Sequence, residues 1–348
     1  MTVVVRDEDD ILDAQVAFHL NAGVDFVLAA DHESTDGTAE ILERYEREGL
    51  LHAIRVRGEF QQGEWVTRLA RLAATDFRAD WVINSDADEF FWPRGGSLKD
   101  VLSYVPSRFG SVRGMWRHFV PRPDEVRPFA ERMTVRLCNP THGYGLFNPH
   151  FKTVHRADPE VIVRGGNHHV FGDLGPLVRS LFPIEVLHFP IRSLEQCERR
   201  YLRQWETDTR AGRTPLPQPA EAYEAHQAGR MNEFYENAVV DDDELARGLR
   251  EGKYTIDTRL RDALRALDRG RDSASPSAGL VGRRVPLDFS NRDVDKPYVS
   301  ELGLLGEVDE LVRLQHRIAA LETRLAGLES SALRRLRIRL AERHPVRG

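Results

Sequence analysis

The sequence contains very little cysteine, with only Cys138 and Cys197 among its 348 residues. Their separation matches neither a disulfide pattern nor a metal-binding pattern, which is typical of a chain whose thiols stay reduced. The sequence also lacks any apolar run near the roughly 20 residues that a membrane-spanning helix needs. Residues 1–10 have no basic region and only a short apolar run, so we expect no signal peptide. Together these absences predict a cytoplasmic protein.

The net charge of −6 argues against non-specific binding of nucleic acid. The charge is uneven, because residues 311–348 hold nine arginines against three glutamates, a balance of +6 that leaves −12 on the preceding residues. Leucines and one isoleucine at 311–328 follow the 3-4 spacing of a coiled-coil seam. Residues 332–343 would form a helix with leucines on one face and arginines on the other, a pattern that suits binding to an anionic membrane surface. We therefore expect a homodimer through the coiled coil or peripheral membrane contact. A helix packed on its own domain and a solvated helix are the alternatives.

Strand and helix patterns alternate through roughly the first 90 residues. In chain order the segments are strand 3–5, helix 11–20, strand 25–30, helix 38–49, strand 51–56, helix 65–74 and strand 81–83. This alternation predicts parallel βαβ units. Residues 111–120 and 131–137 then alternate like an antiparallel pair. The pattern therefore predicts an α/β domain with a smaller antiparallel part after a parallel sheet.

The predicted strand at Trp81–Ile83 runs into three acids, Asp86, Asp88 and Glu89. Buried carboxylates are unfavourable unless they are paired or bound to a metal. We therefore expect these acids just past the end of the strand, where open α/β sheets bind ligands. Two aspartates one residue apart can share one Mg²⁺ or Mn²⁺, which prefers to complete its shell with phosphate oxygens. This stretch indicates a nucleotide diphosphate site, with an acidic turn as the alternative.

Several stretches, taken in this order, resemble a family 2-like glycosyltransferase of the GT-A fold, in the bacterial branch that also resembles family 92. They are Val5-Arg-Asp-Glu-Asp-Asp-Ile11, Phe18-His-Leu-Asn-Ala-Gly-Val-Asp25, Asp31-His-Glu-Ser-Thr-Asp-Gly-Thr38, Asn84-Ser-Asp-Ala-Asp-Glu-Phe90, Lys152, Gly166-Asn-His168 and His188-Phe-Pro-Ile-Arg-Ser193. The resemblance covers about residues 2–205. It implies a Rossmann-like, mostly parallel sheet with helices on both faces and a small antiparallel sheet on the acceptor side.

The resemblance also implies how a nucleotide-diphosphate sugar is bound. The base and ribose would be held by Arg6, Glu8 and Asp31, while Asp36 shapes its loop. Glu8 and Asp36 could equally be helix-capping residues. The diphosphate would face Arg68 or Arg71, which lie three residues apart on one face of the predicted helix. The alternative is that both arginines are simply exposed to solvent, which is the commoner position for arginine.

By the same resemblance, Asp86 and Asp88 match the Asp-x-Asp motif of these enzymes. Asp88 would bind Mn²⁺ or Mg²⁺, while Asp86 would contact the ribose or a metal-bound water. We expect His168 as a third ligand, with His188 as the second choice. Glu89 adjoins the site and would orient a ligand or the acceptor, or pair with an arginine.

The implied reaction is sugar transfer with inversion, which needs a carboxylate to deprotonate the acceptor hydroxyl. The sequence does not identify this base. Its candidates are Glu131, Asp158 and Asp173, each of which is also a reasonable surface or capping acid. Aromatic residues that could stack on sugars, or simply pack in the core, are Trp116, Tyr144, Phe147 and Trp205.

We therefore expect a metal-dependent glycosyltransferase of the hexosyltransferase type, acting in cell-surface glycan or glycoconjugate synthesis on a glycan, lipid-linked or protein acceptor. The expected parts are 1–105 for nucleotide-sugar binding, 106–210 for the acceptor and metal, 211–267 as a helical extension, 268–304 as a linker and 305–348 as coiled coil and basic amphipathic helix. The alternative enzyme is a sugar-phosphate nucleotidyltransferase. The alternative without catalysis is a scaffold with a degenerate transferase domain and a coiled coil.

Overall fold

A computed structural model describes residues 1–123, 126–138, 146–147, 150–178, 183–269, 279–282 and 284–289. The chain divides into two compact units, Met1–Asp295 and Lys296–Gly348. The second unit lies entirely outside the described residues. So do Tyr144, the predicted coiled coil and basic helix, and most of the predicted linker. All the described residues belong to the first unit.

The main sheet has eight strands in the order β3-β2-β1-β4-β8-β6-β11-β5. The strands of the described residues are β1 Thr2–Val5, β2 Val27–His32, β3 Leu51–Val56, β4 Trp81–Ser85, β5 Glu89–Pro93, β6 Ser111–His118, β7 Val135–Leu137, β8 Phe151–Arg156, β9 Ile162–Val163, β10 Val170–Phe171, β11 Ile184–His188 and β12 Tyr254–Ile256. Strands β1 to β4 are parallel, β8 is antiparallel to β4 and β6, and β11 is parallel to β6. Two further pairs, β9–β10 and β7–β12, are separate antiparallel ribbons.

Helices cover both faces of the parallel half. The α-helices of the described residues are α1 Leu12–Asn21, α2 Thr38–Arg47, α3 Gln62–Thr75, α4 Leu98–Ser103, α5 Phe129–Arg132, α6 Leu194–Arg210, α7 Pro217–Gln227, α8 Met231–Glu236, α9 Asp242–Arg250 and α10 Arg259–Asp268. Alternation along the strands explains the two faces: Val3 and Ala29 pack with α1 and α2, whereas Leu28 and Ala30 pack with α3. The predicted α/β fold, mostly parallel and covered on both faces, is confirmed.

The chain connection between β4 and β5 requires the sheet to curl. Only Asp86, Ala87 and Asp88 join the two strands, and four peptide steps reach at most about 14 Å. In the sheet order β8, β6 and β11 lie between them, and four strand spacings in a flat sheet would measure about 19 Å. The curl therefore brings the end of β4 to the start of β5. It places the acidic stretch at the junction of the two halves.

One local prediction was wrong. Residues 131–137 do not form a strand paired along 111–120. The segment instead contains the end of α5 and then β7, which pairs with β12. Arg136 of β7 also forms a bridge with Phe119, the residue that follows β6. The places beside β6 are taken by β8 and β11, each of which pairs with it over five residues. By contrast, α6 begins at a side-chain cap, because the Ser193 hydroxyl accepts a hydrogen bond from the Gln196 backbone.

No α-helix among the described residues is long and apolar enough to cross a membrane.

Candidate functional site

A cleft of about 1060 Å³ opens where β1, β2 and β4 end. Its lining includes residues 4–8 at the end of β1 and just after it, His32 at the end of β2, residues 58–62, residues 86–88 and much of α6. The strand order reverses direction at β1, which lies between β2 and β4. In open α/β sheets such a reversal leaves a crevice at the carboxyl ends of the strands, where ligands bind.

Asp86 is the most exposed of the three predicted site acids, with 30% of its side chain accessible. Its carboxylate accepts hydrogen bonds from Lys152 Nζ at 2.6 Å, Gln62 Nε2 at 2.9 Å and Asn167 Nδ2 at 3.1 Å. The three donors come from β8, from the start of α3 and from the loop after β9. They hold Asp86 at the edge of the cleft with one buried positive charge against it.

Glu89 begins β5 and is fully buried. Its Oε1 lies 3.0 Å from Lys152 Nζ and accepts a hydrogen bond from Trp116 Nε1 at 2.7 Å, while Oε2 accepts one from the Asp86 backbone at 3.1 Å. Burial raises the pKa of Glu89 to about 8, against the effect of Lys152. For Lys152, burial opposes the charged form, but Asp86 and Glu89 outweigh it and raise its pKa. Lys152 is therefore a charged, buried link between the two acids.

Asp88 is buried and faces a second cation from α6. Arg200 donates to its Oδ2 at 2.6 Å, and His188 Nε2 lies 3.5 Å from the same oxygen. Burial opposes ionisation, but His188 and Arg200 hold the pKa of Asp88 well below its usual value. The strand register creates this arrangement, because His188 of β11 pairs with Glu89 of β5 on one side and with His118 of β6 on the other.

The donor set around Asp88 fits a divalent cation. Asp88, Glu89 and His188 each offer one ligand atom within 4.8 Å of the others, and carboxylate with imidazole suits Mn²⁺. Burial lowers the pKa of His188 despite the charge of Asp88, and a lower pKa favours the neutral ring that metal binding requires. Glu89 already uses both oxygens in hydrogen bonds. Asp88 and His188 are therefore better placed than Glu89 to bind the ion.

His168 lines the same cleft but is not part of this group of three. Its Nδ1 lies 2.7 Å from the Phe151 carbonyl, which places the ring N–H there and leaves a lone pair on Nε2. The ring stacks on His150 with centroids 3.4 Å apart and meets Trp116 edge-on at 5.3 Å. Burial lowers the pKa of His168. The structure thus brings the second-choice histidine of the sequence prediction, rather than the first, beside Asp88.

Of the residues predicted to hold the base and ribose, two line the cleft and the third, Asp31, does not. Arg6 and Glu8 line the cleft, but Glu8 is bound by Arg192 at 2.5 Å. Burial raises the pKa of Glu8 to about 7, although Arg192 lowers it. Asp31 is 5% exposed, accepts a hydrogen bond from the Ser34 backbone at 3.1 Å and is not among the described residues that line the cleft.

Asp36 and Arg68 lie outside the described lining of the cleft. Asp36 accepts hydrogen bonds from the backbones of Thr38 at 2.9 Å and Asp9 at 3.2 Å. It therefore holds the loop before α2 against the end of β1. Arg68 is exposed on α3, and Arg71 of the same helix donates to the Val161 carbonyl at 2.8 Å.

None of the three candidate bases lines the described cleft. Glu131 pairs with Arg265, Asp158 accepts a hydrogen bond from the Glu160 backbone at 2.8 Å, and Asp173 is exposed. Of the predicted aromatic residues, Trp116 lines the cleft. Trp205 stacks on Tyr223 at 3.5 Å, and Phe147 is buried in a core cluster.

The sequence reasoning missed the arginines of α6. Arg199 donates to the Asp7 carbonyl at 2.8 Å, Arg203 bonds the Asp7 carboxylate at 2.5 Å and Arg200 bonds Asp88. The available signal was their spacing, since residues 199 and 203 lie one helical turn apart on the same face. These three side chains make the α6 wall of the cleft positively charged.

The family model described as glycosyltransferase family 92 matches residues 5–122, about a third of the chain. The predicted resemblance to glycosyltransferases is confirmed. The matched segment contains the residues that follow β1, the strands β2 to β6 and the acids at 86–89. It therefore includes most of the floor of the cleft but not Lys152, His188 or α6.

Structural comparisons find more distant likenesses. S. aureus TarS 1-349 in complex with UDP is 12% identical, with 90% of each chain covered and a TM-score of 0.32. The same protein in complex with UDP-GlcNAc is 11% identical, with 90% of this chain and 91% of that chain covered and a TM-score of 0.32. A putative glucose-1-phosphate thymidylyltransferase from Bacillus anthracis is 8% identical over 69% of this chain and 85% of its own, with a TM-score of 0.25. Likenesses this distant decide nothing about activity. No curated protein matches the sequence significantly.

Proposed function

We propose that this glycosyltransferase-like protein transfers a sugar from a nucleotide-diphosphate sugar to an acceptor hydroxyl. The observation that carries the proposal is the Asp86-Ala-Asp88 turn at the crevice where β1, β2 and β4 end, inside the cleft. Parallel-sheet crevices of this kind bind nucleotides. The family 92 match over residues 5–122 supports the same activity.

The charges around this turn suit a leaving diphosphate. Lys152 lies against Asp86, Arg200 lies against Asp88, and Arg199 lines the α6 wall. Preorganised positive groups stabilise negative charge that develops in a transition state, most strongly where water is excluded. In the proposed reaction Arg199 and Arg200, which line the cleft, hold and orient the diphosphate as the bond to the sugar breaks, while the buried Lys152 holds Asp86 in place.

We further propose that a divalent cation, Mn²⁺ or Mg²⁺, is bound by Asp88 and His188. When bound, the ion would supply Lewis-acid charge at the diphosphate. Beneath this position, the 3.0 Å contact between Glu89 and Lys152 links the start of β5 to β8. Transfer is expected to proceed with inversion, and the acceptor is a glycan, lipid-linked or protein hydroxyl in cell-surface glycan or glycoconjugate synthesis.

Nucleotide binding tests the proposal directly. We expect UDP, dTDP or GDP to bind the full chain with Mn²⁺ present, and the affinity to fall when EDTA removes the ion. Isothermal titration calorimetry measures both. A panel of nucleotide sugars, followed by chromatographic detection of released nucleotide, then identifies the donor. Absence of metal-dependent nucleotide binding would contradict the transferase, and formation of a nucleotide sugar from a sugar phosphate would favour the nucleotidyltransferase instead.

His188 and His168 can be separated by matched substitutions. We expect His188→Gln to raise the Mn²⁺ concentration needed for half-maximal nucleotide binding by at least about tenfold, the range found when even outer partners of a metal are removed. His168→Gln should change it less, because His168 lies outside the group of three. His226→Gln is the control, since His226 lies on α7 and pairs with Glu198. A larger effect for His168→Gln would contradict this assignment.

A further inference from the structure

His32 ends β2 and lines the cleft, although only 2% of it is exposed. Its Nε2 lies 2.9 Å from the Gly58 carbonyl oxygen. A carbonyl oxygen only accepts hydrogen bonds, so Nε2 carries the proton, and the neutral ring has a lone pair on Nδ1. The Gly58 contact therefore makes Nδ1 an acceptor of fixed direction.

Nδ1 of His32 is buried and has no hydrogen-bond partner among the described residues. Buried polar atoms are nearly always paired, and the exceptions call for an explanation. A ligand that donates a hydrogen bond to Nδ1 would supply the missing partner. Since His32 lines the cleft, its ring lies at the wall of the space that a ligand would occupy.

The surroundings of His32 suit a flat aromatic ligand. Phe60 is 42% exposed, and its ring centroid lies 5.7 Å from that of His32. The ring of Trp65 also packs against His32, with centroids 4.6 Å apart. Val4 and Val5 add apolar surface from β1. A half-exposed aromatic ring beside an apolar strand end provides a stacking surface with one polar contact at its edge.

We infer that this corner of the cleft, formed by His32, Phe60 and the end of β1, binds the nucleobase and that His32 Nδ1 accepts a hydrogen bond from a ring N–H of the base. The inference rests on the proposed nucleotide-sugar activity and adds a base specificity to it. Uracil, thymine and guanine carry such an N–H. Cytosine and adenine present a lone pair at the corresponding ring nitrogen, which would face the lone pair of His32.

The test compares nucleotides that differ in this one group. Calorimetry with Mn²⁺ would measure binding of UDP, GDP, ADP, CDP and 3-methyl-UDP, in which the ring N–H is replaced by a methyl group. We expect UDP or GDP to bind at least about tenfold more tightly than CDP, ADP and 3-methyl-UDP, the scale of one buried polar group left unpaired. Equal affinity for UDP, CDP and 3-methyl-UDP, with GDP not preferred over ADP, would overturn the inference and leave the proposed transferase intact.

Variants separate hydrogen bonding from shape. His32→Phe keeps an aromatic ring but removes Nδ1, and we expect it to weaken UDP binding by about 10-fold to 100-fold while barely changing CDP binding. His32→Asn keeps a polar group near the Nδ1 position and should retain more of the preference. His52→Phe is the control, because His52 lies on β3 away from the cleft and pairs with Glu46. A full UDP preference in His32→Phe would overturn the inference, whereas binding of no nucleoside diphosphate by the unaltered protein would remove the proposed function itself.

Discussion

Asp88→Asn is expected to lower the turnover number by about 100-fold to 1000-fold, the effect of removing one preorganised electrostatic group from an active site. The amide keeps the size of the side chain but removes its charge. Arg200 at 2.6 Å and His188 at 3.5 Å then lose the carboxylate they share. Metal-dependent nucleotide binding should fall as well, because Asp88 is a proposed ligand. Turnover on the donor found in the nucleotide-sugar panel and calorimetry with Mn²⁺ measure the two effects.

Asp25→Asn is the matched control for this substitution. Asp25 pairs with Lys99, and both side chains are more than half exposed, so its removal should leave turnover and nucleotide binding unchanged. Thermal unfolding of both variants checks that the fold is retained. If a folded Asp88→Asn protein binds nucleotide in the same metal-dependent way as the unaltered chain, the role proposed for Asp88 is wrong.

Glu185→Gln is expected to reduce the free energy of unfolding by about 3 to 5 kcal/mol, the usual effect of breaking a buried ion pair. Glu185 is 2% exposed on β11 and contacts Arg117 at 2.7 Å, Arg259 at 2.7 Å and Arg94 at 2.8 Å. The amide would leave these guanidinium groups without the carboxylate that neutralises them. Urea unfolding of the two proteins measures the difference.

The exposed pair between Glu43 and Arg55 is the control, and Glu43→Gln should change the free energy of unfolding by less than about 1 kcal/mol. The pH dependence gives a second check. Burial opposes the charge of Glu185, but the surrounding arginines hold its pKa well below the ordinary 4.5. Its stabilisation is therefore present above about pH 4.5 and is lost as the pH falls toward the lower folded-state pKa. A gap between the two proteins that stays constant into acid would contradict this account.

Local patterns in the sequence were enough to predict the parallel half of the fold. Apolar runs of strand length alternating with helical periodicity predicted β1 to β4 and the helices between them, because each pattern depends on neighbouring residues only. The Ser193 cap of α6 follows from the same kind of local chemistry. The strand at residues 131–137 was predicted wrongly, since its alternation fits a short helix followed by a short strand equally well.

The acids between β4 and β5 show which part of the site could be predicted from the sequence. Asp86, Asp88 and Glu89 were predicted to lie at a strand end, and they do, because a buried strand cannot continue through unpaired carboxylates. Their partners could not be predicted. Lys152 reaches Asp86 across 66 residues of chain, and Arg200 reaches Asp88 across 112. Which cation meets which carboxylate depends on strand register and on the curl of the sheet, neither of which is a local property.

By itself, then, the sequence determined the α/β class, the acidic strand end and the resemblance to glycosyltransferases. The tertiary structure alone decided that His188 rather than His168 lies beside Asp88, and that His32 Nδ1 has no hydrogen-bond partner among the described residues. The physical reason is that a histidine's role depends on what its two nitrogens face. For His188 the register of β11 between β5 and β6 sets this, and for His32 the Gly58 carbonyl sets it.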